Sequence, residues 1–193
     1  VDPHTALKAS SPQASPADMF LGDDFHHNGA FRLSYAFEYV YLVEKNKGSL
    51  SLFPFPDYDV FEWYLNLGGL SNVNEKYFNN KFQSWNDFAD HPNYDYYWKQ
   101  QSSLTNINKP EIPILHVGGY YDPEDLMGPQ AMYEHLEKND NFNNNYLVLG
   151  PWNHGQWRVD KGNSLGKIKF GSDTSDWFLD YEKKWFDYWL KDI

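Results

Sequence analysis

Apolar and polar positions fall into distinct textures along the chain. Between residues 105 and 193, unbroken apolar runs alternate with amphipathic stretches. Ile112-Pro113-Ile114-Leu115-His116-Val117 ends at Gly118-Gly119, the pattern of a strand buried on both faces. Leu126 to Lys138 then follows helical spacing, and Asn145 to Leu149 (NYLVL) forms a second buried-strand pattern closed by Gly150-Pro151. From Ser175 to Lys191, the residues Trp177, Phe178, Tyr181, Trp185 and Trp189 share one stripe, which predicts a long amphipathic helix. Strand, helix, strand, helix in this order predicts parallel pairing with right-handed crossovers.

Residues 23–104 differ: aromatics and Asn dominate, and β-branched residues are few. Arg32 to Glu44 (RLSYAFEYVYLVE) places rings at helical spacing; Asp57 to Leu67 and Tyr77 to Phe88 read as further helices, punctuated by Pro54, Pro56 and Pro92. This block predicts a helical insertion or cap. At the start, Ala6-Leu7-Lys8-Ala9 reads as one strand that leaves into the Pro- and Ser-rich Ser10 to Pro16. The predicted division is therefore 1–22 with 105–193 as an α/β core, and 23–104 as its insertion.

Charge and composition narrow the function. The 193 residues carry 16 Lys+Arg against 27 Asp+Glu, a formal charge of −11, with no basic cluster. A nucleic acid or an anionic membrane surface is not an expected partner. Apolar residues make up 41% and aromatic residues 19%, which argues against disorder. Without cysteine there is no disulfide, thiolate metal site or Cys nucleophile, and the compartment stays open. No apolar run approaches the about 20 residues of a membrane span.

Three segments could carry chemistry. Asp122, in Gly118-Gly119-Tyr120-Tyr121-Asp122-Pro123-Glu124-Asp125, directly follows a predicted strand, where open α/β sheets place their sites. The competing reading makes Asp122 an N-cap, Pro123 the first helical residue, and Glu124 and Asp125 an acidic first turn. His154, in Gly150-Pro151-Trp152-Asn153-His154-Gly155, follows the next predicted strand. A loop His becomes a general base when an acid orients its other ring nitrogen. Asp and then His on one sheet edge is the Asp…His half of an α/β-hydrolase triad, which requires a Ser earlier in the chain. The only Gly-x-Ser-x-Gly match, Gly162 to Gly166, comes after the His and lies between segments that are not strand and helix, so Ser164 is read as part of a glycine-flanked turn. The third segment, Gly22 to Gly29, pairs Asp23-Asp24 with His26-His27. Neighbouring side chains of an extended segment point apart, so a solvated loop is the simpler reading than a metal site.

Taken together these residues resemble the serine hydrolases of the Xaa-Pro dipeptidyl-peptidase type, a group that includes cocaine esterase, α-amino acid ester hydrolases and glutaryl-7-aminocephalosporanic-acid acylases. Gly119-Tyr120-Tyr121-Asp122 resembles the family's triad-Asp motif and Gly150-Pro151-Trp152-Asn153-His154 its triad-His motif. Asp2 to Ala9 resembles the strand soon after the nucleophile helix, with Thr5 where Pro is usual. Gly22-Asp23-Asp24-Phe25 with Asn28 to Arg32 resembles the start of the family's helical cap, and His91-Pro92-Asn93-Tyr94-Asp95 with Trp98 its end. The resemblance is greatest to the α-amino acid ester hydrolases.

The resemblance implies a partial α/β-hydrolase core with an inserted cap. It implies cleavage of a small-molecule ester or amide by acyl transfer, with Asp122 and His154 as catalytic acid and base and with no cofactor or metal. Asp24, Glu124 and Asp125 fall where the amino-ester hydrolases grip a substrate's α-ammonium group, Asp23 being the weaker candidate of its pair. Glu124 and Asp125 stand equally between this role and the helix-cap role. The nucleophilic Ser and the oxyanion hole are expected upstream of Val1, and the family's β-sandwich beyond Ile193. The fragment alone is then expected to be inactive, since losing the nucleophile costs about 10⁶ in kcat. Relatives are often exported, which points to an extracytoplasmic parent, and an exposed sheet edge leaves room for a homo-oligomer. The alternatives are an aromatic-rich carbohydrate-binding module and a purely structural one.

Overall fold

The computed structural model describes residues 4–46, 48, 50–191 and 193; Asp2 and Pro3 of the opening segment lie outside the described residues. The elements are β1 (His26–His27), β2 (Ala30–Phe31), α1 (Leu33–Glu44), α2 (Phe61–Leu67), α3 (Ser71–Val73), a π-helical turn at Asn74–Phe78, α4 (Gln83–Asp90), α5 (Tyr96–Gln101) and α6 (Ser103–Asn106). They continue with β3 (Ile114–Gly119), α7 (Gly128–Glu137), β4 (Asn145–Gly150), α8 (Gln156–Val159), β5 (Ser164–Leu165), β6 (Ile168–Lys169) and α9 (Thr174–Lys191). No described helix is long and apolar enough to cross a membrane.

β3 and β4 pair in parallel, from Ile114 opposite Asn145 to Gly119 opposite Gly150, as their unbroken apolar patterns predict. On the other side of β3 runs the opening segment. Ser10 N–H donates to Pro113 O and Leu115 N–H to Ser10 O, both at 2.9 Å; Val117 N–H donates to Pro12 O at 3.0 Å and Ala14 N–H to Val117 O at 2.9 Å. The paired backbone is thus Ser10 to Ala14, not the predicted Ala6 to Ala9. Proline donates no N–H, but on an edge its carbonyl can still accept, and Pro12 does so.

Alternation along β3 builds three layers. Leu115 and Val117 face Trp152, Trp157, Phe178 and Trp185 in one buried cluster, to which α9 contributes its stripe. Ile114 packs on the opposite side with Met132 and Leu136 of α7 and with Ala17. A separate aromatic cluster occupies the sequence between residues 25 and 85. Phe37 of α1 stacks on Phe78 with ring centroids 4.8 Å apart, amid Val40, Val73, Phe82 and Trp85. Each such ring pair adds about 0.5–1.5 kcal/mol to plain area burial.

Two predicted helices are shorter than their patterns. α2 starts at Phe61, whose N–H donates to Asp59 Oδ1 at 3.0 Å, and not at Asp57. The predicted helix from Tyr77 to Phe88 is broken at Asn79 and Asn80, which take φ of +50° and +57°. Asn tolerates that left-handed region because its side chain bonds locally. α4 then restarts at Gln83, its first amides capped from another helix: Gln83 N and Ser84 N donate to the Glu44 carboxylate at 2.8 and 3.0 Å.

The segment Gly22 to Gly29 is folded, which corrects the solvated-loop reading. Asp23 is fully buried, and its carboxylate accepts from Ala17 N (2.8 Å), Asp18 N (3.1 Å) and Gly128 N (2.8 Å). It therefore pins this loop to the start of α7. His26 is buried against Phe20 and Trp98, with Nδ1 3.2 Å from Met19 O. β5 and β6 form a tight antiparallel hairpin that turns at Gly166, so Ser164 lies in the first strand of a short ribbon, paired with Lys169, and not in the expected turn itself.

Candidate active site

The ends of β3 and β4 are forced into close contact. A Cβ on Gly119 would lie 2.2 Å from Trp152 O, and one on Gly150 would lie 2.4 Å from the Trp152 ring, so neither position tolerates a side chain. Into that space Tyr120 N–H donates to Gly150 O at 2.9 Å and Tyr121 N–H to Trp152 O at 3.0 Å. The two loops leaving the sheet are thereby bonded to each other. One carries Asp122, the other His154.

Asp122 sits on a turn closed by its own N–H to Gly119 O at 3.2 Å. Its side chain is inaccessible to solvent, and Oδ1 accepts from Glu124 N at 2.8 Å and Asp125 N at 3.1 Å. His154 Nδ1 lies 3.1 Å from Asp122 Oδ2 and 3.3 Å from Oδ1. A neutral His154 that donates from Nδ1 leaves a lone pair on Nε2, the tautomer a general base needs. The His loop is braced by the buried Gln156, whose Oε1 accepts from Asn153 N at 3.1 Å.

Three further carboxylates surround this pair. His154 Nε2 is 3.6 Å from Glu124 Oε2, and Nδ1 is 3.8 Å from Asp125 Oδ2. Asp24 joins them through backbone and side chain. Its N–H donates to Glu124 O at 3.0 Å, its carbonyl accepts from Arg32 Nη1 at 2.6 Å, and its Oδ1 accepts from Tyr35 OH at 3.2 Å. Asp24 takes φ of +34°, a strained value for a non-glycine residue held by these bonds. α7 begins only at Gly128 with no acid in its first turn, so Glu124 and Asp125 do not serve as helix-cap residues. Asp122 caps the local turn instead, and the two following acids point into the corner with His154.

Burial, with crowding of like charges behind it, raises the proton affinity of Asp125 and Asp24. Burial first, and then the charges of Asp24, Asp23 and Asp122, push the Asp125 carboxyl up to about 9. Asp24 is raised by burial, against the lowering effect of its bond from Tyr35. Tyr35 and Tyr39 of α1, whose rings stack 5.6 Å apart, are both raised by burial and then by the Asp24 charge. Sequence reasoning placed these two tyrosines only in an amphipathic helix. Their signal was the i, i+4 spacing on the helix that directly follows Asp24.

Among the described residues, Glu124, Asp125 and His154 each bring a ligand atom within 4.8 Å of the others, the geometry in which a metal could be held. The pair His26-His27 and Asp23 are not brought together in this way.

The profile of the X-Pro dipeptidyl-peptidase (S15) family matches residues 1–156. The chain belongs to the X-Pro dipeptidyl-peptidase (S15) family. Two solved structures align with this S15 chain over 98% of its length. One is an aminopeptidase from a marine sediment archaeon, Thaumarchaeota archaeon, with 36% identity and a TM-score of 0.91; the other is an α-amino acid ester hydrolase, with 29% identity and a TM-score of 0.90. The S15 chain spans 32% and 31% of those two proteins. A search of functionally curated proteins finds no significant match. The fold is therefore a partial α/β-hydrolase core, and the family is one of peptidase- and esterase-type hydrolases.

Proposed function

We propose that the intact protein cleaves ester or amide bonds by acyl transfer, with Asp122 and His154 as the acid and base of a serine triad. The observation that carries this reading is the 3.1 Å approach of His154 Nδ1 to the fully buried carboxylate of Asp122, across the ends of two parallel strands. A serine hydroxyl, supplied by sequence of the parent protein outside these 193 residues, attacks the substrate carbonyl. His154 Nε2 takes the hydroxyl proton and passes it to the leaving alcohol or amine, leaving an acyl-serine. Water then attacks the acyl carbon; His154 takes its proton and returns it to the serine oxygen as the acyl–serine bond breaks, and the carboxylic acid leaves. Asp122 keeps the Nδ1 proton in place and stabilises the imidazolium that forms at each transfer. On this reading the 193 residues alone are inactive.

Asp24, Glu124 and Asp125 are proposed to bind an ammonium group on the acyl side of the substrate. Acids crowded into one corner are costly unless a cation joins them, and the raised proton affinity of Asp125 is a mark of that cost. At about 4 Å, one ammonium–carboxylate pair contributes about 1–4 kcal/mol, depending on local screening. The stacked Tyr35 and Tyr39 supply an apolar wall beside these acids. The reading is tested with a fluorophosphonate probe on the intact protein. It requires labelling of one serine outside this chain and loss of that labelling in His154→Ala; labelling that survives the substitution overturns it.

A further inference from the structure

The corner at Glu124, Asp125 and His154 has a second property that proton transfer does not use. Asp125 is 4% exposed, and its Oδ1 has no hydrogen-bond partner. A buried acceptor without a donor is costly, and a ligand that supplies positive charge removes the cost. The ion pairs that Glu124 and Asp125 make among the described residues are both with His154; Arg32 instead donates to the backbone carbonyl of Asp24 and lies over the Tyr35 ring, 4.4 Å from its centroid. One ligand atom from each of Glu124, Asp125 and His154 already lies within 4.8 Å of the other two.

We propose that these three residues form a binding site for a divalent transition-metal cation of the zinc type, and that the bound cation reversibly blocks His154. An imidazole with two carboxylates suits zinc-like ions, whereas magnesium and calcium select all-oxygen shells. Zinc requires about 2.0–2.2 Å to each ligand, so the three groups must close on the ion. Glu124 and His154 are partly exposed side chains on irregular loops and can make that movement, while Asp125 stays fixed. Nδ1 of His154 faces Asp122, which leaves Nε2 for the metal. Asp122 then becomes the outer carboxylate of a carboxylate–histidine–metal chain, an arrangement that strengthens the imidazole as a ligand. The metal occupies the same lone pair that accepts the serine proton, and it fills the space assigned to the ammonium group. The blocking consequence rests on the acyl-transfer reading; the binding does not.

The experiment is a calorimetric titration of the metal-free intact protein with zinc chloride, for wild type, Glu124→Gln, His154→Gln and the exposed control His27→Gln. Saturable binding that weakens at least about tenfold in the first two variants, and is unchanged in the control, is expected. Equal affinity in all four proteins, or no saturable binding in wild type, overturns the proposal. Because either variant could unfold, the imidazole nitrogen spectrum of wild type gives a second reading: zinc must shift the His154 resonances, and a shift confined to other histidines overturns the proposal. Zinc bound at His154 in a protein whose metal-free form has no esterase activity sinks the acyl-transfer reading and leaves this site standing. Activity without zinc binding does the reverse.

Discussion

Substituting Asp122 by Asn is the sharpest perturbation of the site, because the surrounding bonds dictate how the amide must sit. Oδ1 of Asp122 accepts two backbone amides, from Glu124 at 2.8 Å and Asp125 at 3.1 Å. An asparagine can satisfy both only by placing its carbonyl oxygen there. Its NH2 group then occupies the Oδ2 position, 3.1 Å from His154 Nδ1. Two donors cannot face each other, so His154 must give up the Nδ1 proton and carry it on Nε2. The imidazole is then protonated where it should accept, and the imidazolium loses its counter-charge. Trapping the wrong tautomer costs about 10⁴-fold in kcat, equivalent to about 5 kcal/mol of barrier. The assay is kcat of the intact protein on an amino-acid ester, together with the ring-nitrogen spectrum of His154. The fold should survive, since the volume and both turn bonds are retained. A variant with kcat within tenfold of wild type, or with the His154 proton still on Nδ1, refutes the reasoning.

Other outcomes follow from the same geometry. Glu124→Gln should raise KM for amino-acid esters more than for esters without an amine; equal loss on both removes the ammonium role. Asp125 binds its proton more tightly folded, at about 9, than unfolded, at the ordinary 3.8 of an aspartate. Its contribution to stability is therefore full at low pH and is lost as pH rises from about 4 through about 9. Asp125→Asn should flatten the melting temperature across that window, and an unaltered slope contradicts the assignment. Gly119→Ala forces a Cβ against Trp152 O and should destabilise by about 1–3 kcal/mol in urea unfolding. Phe37→Ala, at the centre of the aromatic cluster, should cost about 3–5 kcal/mol in the same measurement.

The two core strands and α9 were legible because continuous burial writes itself as continuous apolarity, and a helix with one buried face writes a stripe. The Asp122–His154 meeting was legible for a related reason: each residue directly follows such a strand, and parallel neighbours end at the same edge. What the pattern could not reveal depends on bonds between distant residues. The helix expected from Tyr77 to Phe88 is set instead by Asn79, Asn80 and the remote Glu44 cap. Ala6 to Ala9 looks more strand-like than Ser10 to Ala14, yet register with β3 decides which backbone pairs. The roles of Asp23 and Asp24 were separable only in part. One turns toward three backbone amides and the other toward Tyr35, and a strained φ at Asp24 makes that divergence possible.

The grip of Tyr121 N–H on Trp152 O has a mechanical consequence. It welds the acid-bearing and base-bearing loops into one rigid piece, anchored behind by the Trp152 indole donating to Thr174 at 2.7 Å. Asp24 and Tyr35, by contrast, reach the same corner from the aromatic half of the chain, on a loop tied down by Asp24 N donating to Glu124 O and by Gly128 N donating to the Asp23 carboxylate. Substitutions in that half would change the shape and charge of the mouth without touching the backbone bonds that set the imidazole against its carboxylate. Selection can therefore retune what is admitted without disturbing the machinery that would act on it.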